Sequence, residues 1–237
     1  MVAFGGETID NRGVVRDFPA RSMLAGLLGN ALGLDRTEGD RLDALQNRIN
    51  HAAARVRAGN RRQDYQTARL FEKDAGWTTR GRPEGRASSP SFTWDADWEA
   101  ARCERAKSLT HQRYRDFDAD AAIWVALSLA PGDPDIDAAA EALERPERPL
   151  FIGRKPFIPS CPILAGRIAA LDPLAALATA LAGAPGDHSV QWQGDTGVDL
   201  RTTRTVRLAD LRRFSAGVHG GTREAHEGIL TITEAPT

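Results

Sequence analysis

The sequence predicts an α+β fold, and three observations carry that prediction. Strand-like and helix-like segments alternate without the long βαβ series of a doubly wound sheet. One strongly apolar helix stands near the start, within FPARSMLAGLLGNALGLDR, residues 18–36. A stretch of low periodicity, residues 59–112, interrupts the pattern and reads as an insertion into an otherwise regular domain.

Taken in order, the first element is that apolar helix. Pro19 suits a first helical turn, where its missing N–H costs nothing. Met23, Leu24, Leu27, Leu28, Ala31 and Leu32 recur at helical spacing, and Gly33 is placed to end the helix in a left-handed turn. Gly26 and Gly29 each cost roughly 1 kcal/mol relative to alanine, so close packing against a sheet is the expected reason for both. A second short helix is expected at Glu38 to Leu45. The insertion at 59–112 combines turn-forming residues with three tryptophans. Disordered tracts are depleted in aromatics, so it is expected to be extended and partly ordered.

Regularity returns at Ala121–Leu129, where Ile123, Val125, Leu127 and Leu129 share one face of a strand. Pro131-Gly132-Asp133-Pro134 turns the chain into a helix at Asp135–Leu143. Pro149–Ile163 reads as a short strand entering a proline-stiffened loop, and Leu171–Leu181 as an alanine-rich helix. From Val190 onward, VQWQ, RTVRL and GILTI read as strands.

Size and composition set the outer limits. A chain of 237 residues, 41% apolar and 27% charged, fits a single domain over 1–237 with 59–112 inserted. No apolar run reaches the roughly 18 residues of a membrane span, and the start lacks a signal-peptide pattern. A cytoplasmic protein without a membrane partner is expected. Cys103 and Cys161 form neither a metal spacing nor a disulfide framework, so reduced thiols and no cofactor or metal are expected.

The net charge of −1 conceals a skew: residues 55–115 hold 14 Lys/Arg against 8 Asp/Glu. Only Lys73, Lys107 and Lys155 among the 31 cations are lysines. Arginine's planar fork matches phosphate and base edges better than an ammonium does. A basic block in a neutral chain points to a polyanion bound by one region.

Candidate binding residues follow from that chemistry. Arg16, Arg21 and Ser22 stand at the mouth of the first helix, where free N–H groups and partial positive charge receive phosphate. A competing reading makes Ser22 a helix cap and the arginines solvated. In the insertion, Tyr65, Trp77, Trp94 and Trp98 interleave with Arg61, Arg62, Arg69, Arg80, Arg82 and Arg86, a pattern suited to unpaired bases. For Trp94 and Trp98, set among Asp95, Asp97 and Glu99, pinning the insertion or a protein partner is the competing reading. His111, Arg113, Tyr114 and Arg115 precede the strong strand. Gly153-Arg154-Lys155 is a compact cationic turn whose glycine would let backbone approach a ligand. Arg212 and Arg213 are further phosphate candidates.

Four of these segments together resemble a known family. FPARSMLAGLLGNALGLDR is similar to F-P-(T/A)-(K/R)-S-x-L-x-G-L-L-x-x-A-L-G-x-x-R. Asp64-Tyr65-Gln66-Thr67 is similar to D-(Y/F)-(H/Q)-T. RYRDFDADAAIWVAL partly matches R-x-Y-x-x-D-A before a strand, with Arg113 and Tyr114 adjacent. LFIGRKPFIPSCPI, Leu150–Ile163, is similar to L-G-R-(R/K)-x-x-P-x-x-P-(I/L). The ordered set resembles the CasD family, a subunit of the type I-E CRISPR surveillance complex Cascade within the repeat-associated RNA-binding superfamily.

That resemblance implies a ferredoxin-like, RRM-type antiparallel sheet with helices on one face and a long inserted thumb. It implies a non-catalytic, antiviral RNA-binding role, capping the 5′ handle of crRNA. Backbone and large subunits of Cascade would be partners, and target DNA an indirect one. Tyr65, Gln66 and Thr67 join the expected RNA contacts. Met1–Gly5 lines up with the middle of the family's opening, so the first, central β-strand is implied to be missing from this chain. The rival is a sister branch that cuts repeat RNA without metal, using a tyrosine, a lysine and a histidine. Such cleavage needs a base and a cation together, whereas Lys107 and His111 are four apart and Tyr65 has the context of the binding subfamily.

Overall fold

A computed structural model of the chain describes residues 1–6, 13–69 and 110–233. These residues form two compact units, one of residues 1–6, 14–62 and 117–233, the other of residues 13, 63–69 and 110–116.

The first unit opens with a two-residue strand, β1 (Phe4–Gly5), paired antiparallel with β2 (Val15–Arg16). The apolar helix forms as predicted, α1 (Arg21–Ala31), and Gly33 ends it at φ 75°. Its last carbonyls accept backbone N–H groups, Gly29 from Leu34 at 2.8 Å and Ala31 from Glu147 at 2.9 Å, and just beyond the helix Arg148 donates to the Leu34 oxygen at 2.7 Å and the Gly33 oxygen at 2.9 Å. Close packing accounts for Gly29 but not Gly26. A Cβ on Gly29 would run into Leu42 of α2 (Gly39–Arg48), whereas one on Gly26 would meet nothing within 4 Å. The close neighbour of α1 there is thus a helix, where a sheet was expected.

Helix α2 passes directly into β3 (Ile49–Arg57), followed by β4 (Asn60–Arg69), β5 (Thr110–Ala119) and β6 (Ala122–Leu129). Then come α3 (Ile136–Glu144), α4 (Pro173–Ala180), β7 (Gly186–Trp192) and β8 (Arg201–Leu208). The two-residue strands β9 (Arg212–Arg213) and β10 (Val218–His219) precede β11 (Arg223–Ile232). Asp135 and Asp172 cap α3 and α4, each accepting a backbone N–H from the first turn.

The main sheet has five strands in the order β6-β3-β7-β11-β8, with every neighbouring pair antiparallel. Successive side chains of a strand point to opposite faces, and β3 shows what each face carries. Ile49 packs with Leu24, Leu28, Leu42, Leu45 and Ala139, a core built from α1, α2 and α3. Ala52 and Ala54 point the other way, into Leu174, Leu177 and Leu181 around α4, with Val190, Trp192 and Leu230. Each fully buried leucine contributes about 1.5–3 kcal/mol of transfer energy. The sheet therefore has helices on both faces, which corrects the expectation of one. The sequence concealed this because the three alanines of β3 carry no strand signature of their own.

Pro149–Ile163 forms no strand, a second correction. Pro156, Pro159 and Pro162 lack N–H donors, and the segment instead folds a tight turn in which Phe157 donates to the Arg154 oxygen at 2.9 Å. The hairpin of β9 and β10 is braced on α2, where Gln46 both donates to and accepts from the backbone of Arg212. Asp43 accepts the backbone N–H groups of Phe214 and Ser215.

The second unit comprises residues 63–69 of β4 and 110–116 of β5, a two-stranded ladder, together with Gly13. The low periodicity at 60–69 and 110–112 was therefore misleading: both stretches are strand. Residues 63–67 and 113–116 are exposed or half-buried on both faces, and they show no alternation of apolar and polar types. Residues 70–109 of the expected insertion lie outside the described residues.

Candidate nucleic-acid interface

The mouth of α1 was expected to present free N–H groups, and in this structure they are taken. Ala20 at the N-cap has no side chain to offer, and Ser22 lies inside the first turn. Asp210 supplies the cap from far along the chain. Its carboxylate accepts the Arg21 N–H at 3.2 Å, and its carbonyl accepts the Ser22 N–H at 3.1 Å. The same carboxylate is held by Arg223, whose Nε lies 3.1 and 2.9 Å from its two oxygens. Both partners of this ion pair are buried.

Arg21 is buried as well, its guanidinium donating to Gln193 and its ionisation held below the usual arginine range by burial and the nearby Arg223, with Asp210 opposing. His51, beneath Arg223, is pushed down to about 3 by burial and by the charges of Arg223 and Arg21, against the carbonyl of Pro19. Imidazole at neutral pH is thus uncharged here.

Arg16 donates to the Ala209 carbonyl at 3.1 Å and lines a cleft of about 390 Å³ with Phe18, Ala20, Gln191, Asp210 and Glu227. Arg16 is the sole cation among the described lining residues, against three carboxylates with Asp17. This seat is occupied by the protein's own acid and does not attract phosphate.

Gly153-Arg154-Lys155 presents a different geometry. Gly153 adopts φ 82°, and a Cβ there would run into the Ala3 carbonyl. The glycine therefore serves a close approach within the chain itself, where approach to a ligand was expected. The turn closes through Ile152 donating to the Phe157 oxygen at 2.9 Å. Arg154 lies over the Phe157 ring at 4.8 Å, and Phe157 in turn meets Phe117 at 5.1 Å. The guanidinium laid on this aromatic floor is a cation–π contact that holds it in place beside Lys155. Lys155 beside it is exposed.

In the second unit Tyr65 and Tyr114 face each other across the ladder, ring centroids 5.3 Å apart and planes tilted by 43°. Gln63 donates to Asp116 at 2.8 Å on the same face, two residues away on each strand. Tyr65 remains 52% exposed, so one ring surface is open to stacking. Strand alternation puts Gln66, Arg113 and Arg115 on the opposite face. Gln66 donates to Asp64 at 3.3 Å, and the Arg115 side chain covers Gly13, whose N–H donates to the Tyr114 oxygen at 3.1 Å. Thr67 is exposed. His111 lies in β5 with its side chain outside the described residues, as are Trp77 and Arg80 altogether.

The expected residues thus fall into three groups: a buried network at Arg21, a cationic turn at 153–155, and a tyrosine pair at 65 and 114. Sequence reasoning missed Asp210, Arg223 and His51. Their partners stand 13 to 189 positions away, and no local spacing announces them. Among the described residues no group of acidic, His or Cys side chains could hold a metal ion, and no helix is long and apolar enough to cross a membrane.

Comparison with known proteins gives a family match over residues 1–226, to the family described as CRISPR-associated protein (Cas_Cas5). No curated protein matches the chain. Among solved structures, a chain of a "CRISPR RNA-guided surveillance complex" is similar at 21% identity and TM-score 0.65, over 98% of this chain and 86% of that one. A second, described as "Crystal structure of Cas protein", is similar at 21% identity and TM-score 0.57, over 100% of this chain and 94% of that one.

Proposed function

Because the chain belongs to the CRISPR-associated Cas5 family, we propose that it is an RNA-binding subunit of a CRISPR surveillance complex of type I-E, one that caps the 5′ handle of crRNA without cleaving it. The observation that carries this reading is the turn at Gly153–Lys155, where a guanidinium is laid on the Phe157 ring and an exposed ammonium follows it. The exposed Lys155 ammonium supplies a point charge for a phosphate, beside the charge of Arg154. The exposed Tyr65 ring supplies a stacking surface for a base. Other subunits of the complex and, through them, target DNA would be its partners.

Fluorescence anisotropy with a labelled repeat-derived RNA tests the proposal. Affinity should fall with salt at a log–log slope of about −0.7 for each phosphate neutralised. Arg154→Ala should weaken binding several-fold and flatten that slope, whereas Arg201→Ala, whose side chain is paired with Asp187 on a surface strand, should leave both unchanged. Equal losses from the two variants, or a flat salt dependence, would sink it. The RNA recovered afterwards should be intact, and a discrete product would favour a metal-independent endoribonuclease instead.

A further inference from the structure

We infer that residues 158–171 form a docking segment for another protein subunit of the assembly, one that presents an apolar surface bordered by an open strand edge. The segment IPSCPILAGRIAAL follows the cationic turn directly and precedes α4. Ile158 is 69% exposed, Ile168 44%, and Leu171 fully so. Large apolar side chains gathered outward on one short stretch mark an interaction site.

Two properties select the occupant. The first is charge. Arg167 is the one ionic residue in the fourteen, and it already lies 3.9 Å from both Asp137 and Glu144 of α3. A nucleic acid needs uncompensated cations, and this segment has none to give. The second is backbone. Among the described residues, 158–171 make no hydrogen bond at all, main chain or side chain. Buried main-chain groups must find partners, so whatever covers the segment has to supply N–H and C=O groups as well as apolar area. An open strand edge does both, as in β-augmentation. Residues 163–171 give it nine positions free of proline, ample for a strand. One loop would then divide two tasks: RNA at Arg154 and Lys155, protein from Ile158 onward.

This inference rests on the chain being a complex subunit, yet it fails separately from RNA binding. Amide hydrogen exchange is measured on the free chain, on the chain with repeat RNA alone, and on the assembled surveillance complex. In the free chain, amides 163–171 should exchange near the rate of unstructured peptide, and RNA alone should leave them so. In the complex they should slow at least 100-fold. An Ile168→Asp/Leu171→Asp variant should keep wild-type Tm and RNA affinity but drop out of the complex. Unchanged exchange on assembly overturns the inference. So does protection by RNA alone, concentration-dependent protection in the free chain, which would mean a second copy, or normal incorporation of the double variant.

Discussion

Asp210 accepts the backbone N–H of Arg21 at 3.2 Å across 189 positions of sequence, and with the same carboxylate pairs the buried Arg223. One acid thereby closes the mouth of α1 and neutralises a guanidinium that has left water.

Asp210→Ala should cost about 3–5 kcal/mol, because it strands a buried cation as well as removing a cap. Urea denaturation measures it. Adding Arg223→Leu should recover part of the loss, since removing both charges is far less costly than orphaning one. A double variant as unstable as the single one would contradict this account of the pair.

His51 sets an acid limit on stability. Its folded pKa, about 3, lies below the ordinary imidazole value of 6.5. The unfolded chain therefore binds a proton that the fold refuses, and stability falls as pH drops from 6.5 towards 3. At pH 5 the His51 contribution to that loss is about 2 kcal/mol. His51→Gln should flatten the stability profile between pH 6.5 and 5, an interval above the carboxylate range. An unchanged slope in the variant would assign the acid sensitivity elsewhere.

Gly153→Ala should lower stability by about 1–3 kcal/mol, because the residue would hold a left-handed conformation against the Ala3 carbonyl. RNA affinity should fall alongside Tm as Arg154 and Lys155 shift with the turn. An alanine variant with wild-type Tm and affinity would remove the geometric argument for the glycine.

Tyr65→Ala should weaken RNA binding by about 1–3 kcal/mol per stacked base, and Tyr65→Phe should retain most of the affinity. Half exposed, the ring contributes little to the fold, so both variants should melt with the wild type. Loss of affinity in Tyr65→Phe equal to that in Tyr65→Ala would implicate the hydroxyl and not the stacking face.

What could be read in the sequence follows from how local each signal is. Helix α1 was legible because Leu24, Leu28 and their neighbours repeat at a helical period, and the edge strand β6 because its branched residues alternate. β3 was not: INHAAARVR has alanines where a strand normally shows branched side chains, and its burial comes from α4 and β7, which lie far along the chain. The ladder of β4 and β5 escaped detection because its residues show no alternation of apolar and polar types. At the candidate site, Arg154 and Tyr65 are proposed from residue type and motif. The assignment of Arg21 to an open anion seat failed because Asp210 approaches from a segment that carries no mark of its destination.

The cap on α1 also dictates an order of events during synthesis. The acid that closes the helix leaves the ribosome only 189 residues after Arg21. Until then Arg21 and Ser22 lack their long-range acceptors, and the end of α1 frays. A nascent chain arrested before residue 210 should show fast exchange at those two amides, slowing once the stretch through Arg223 is released.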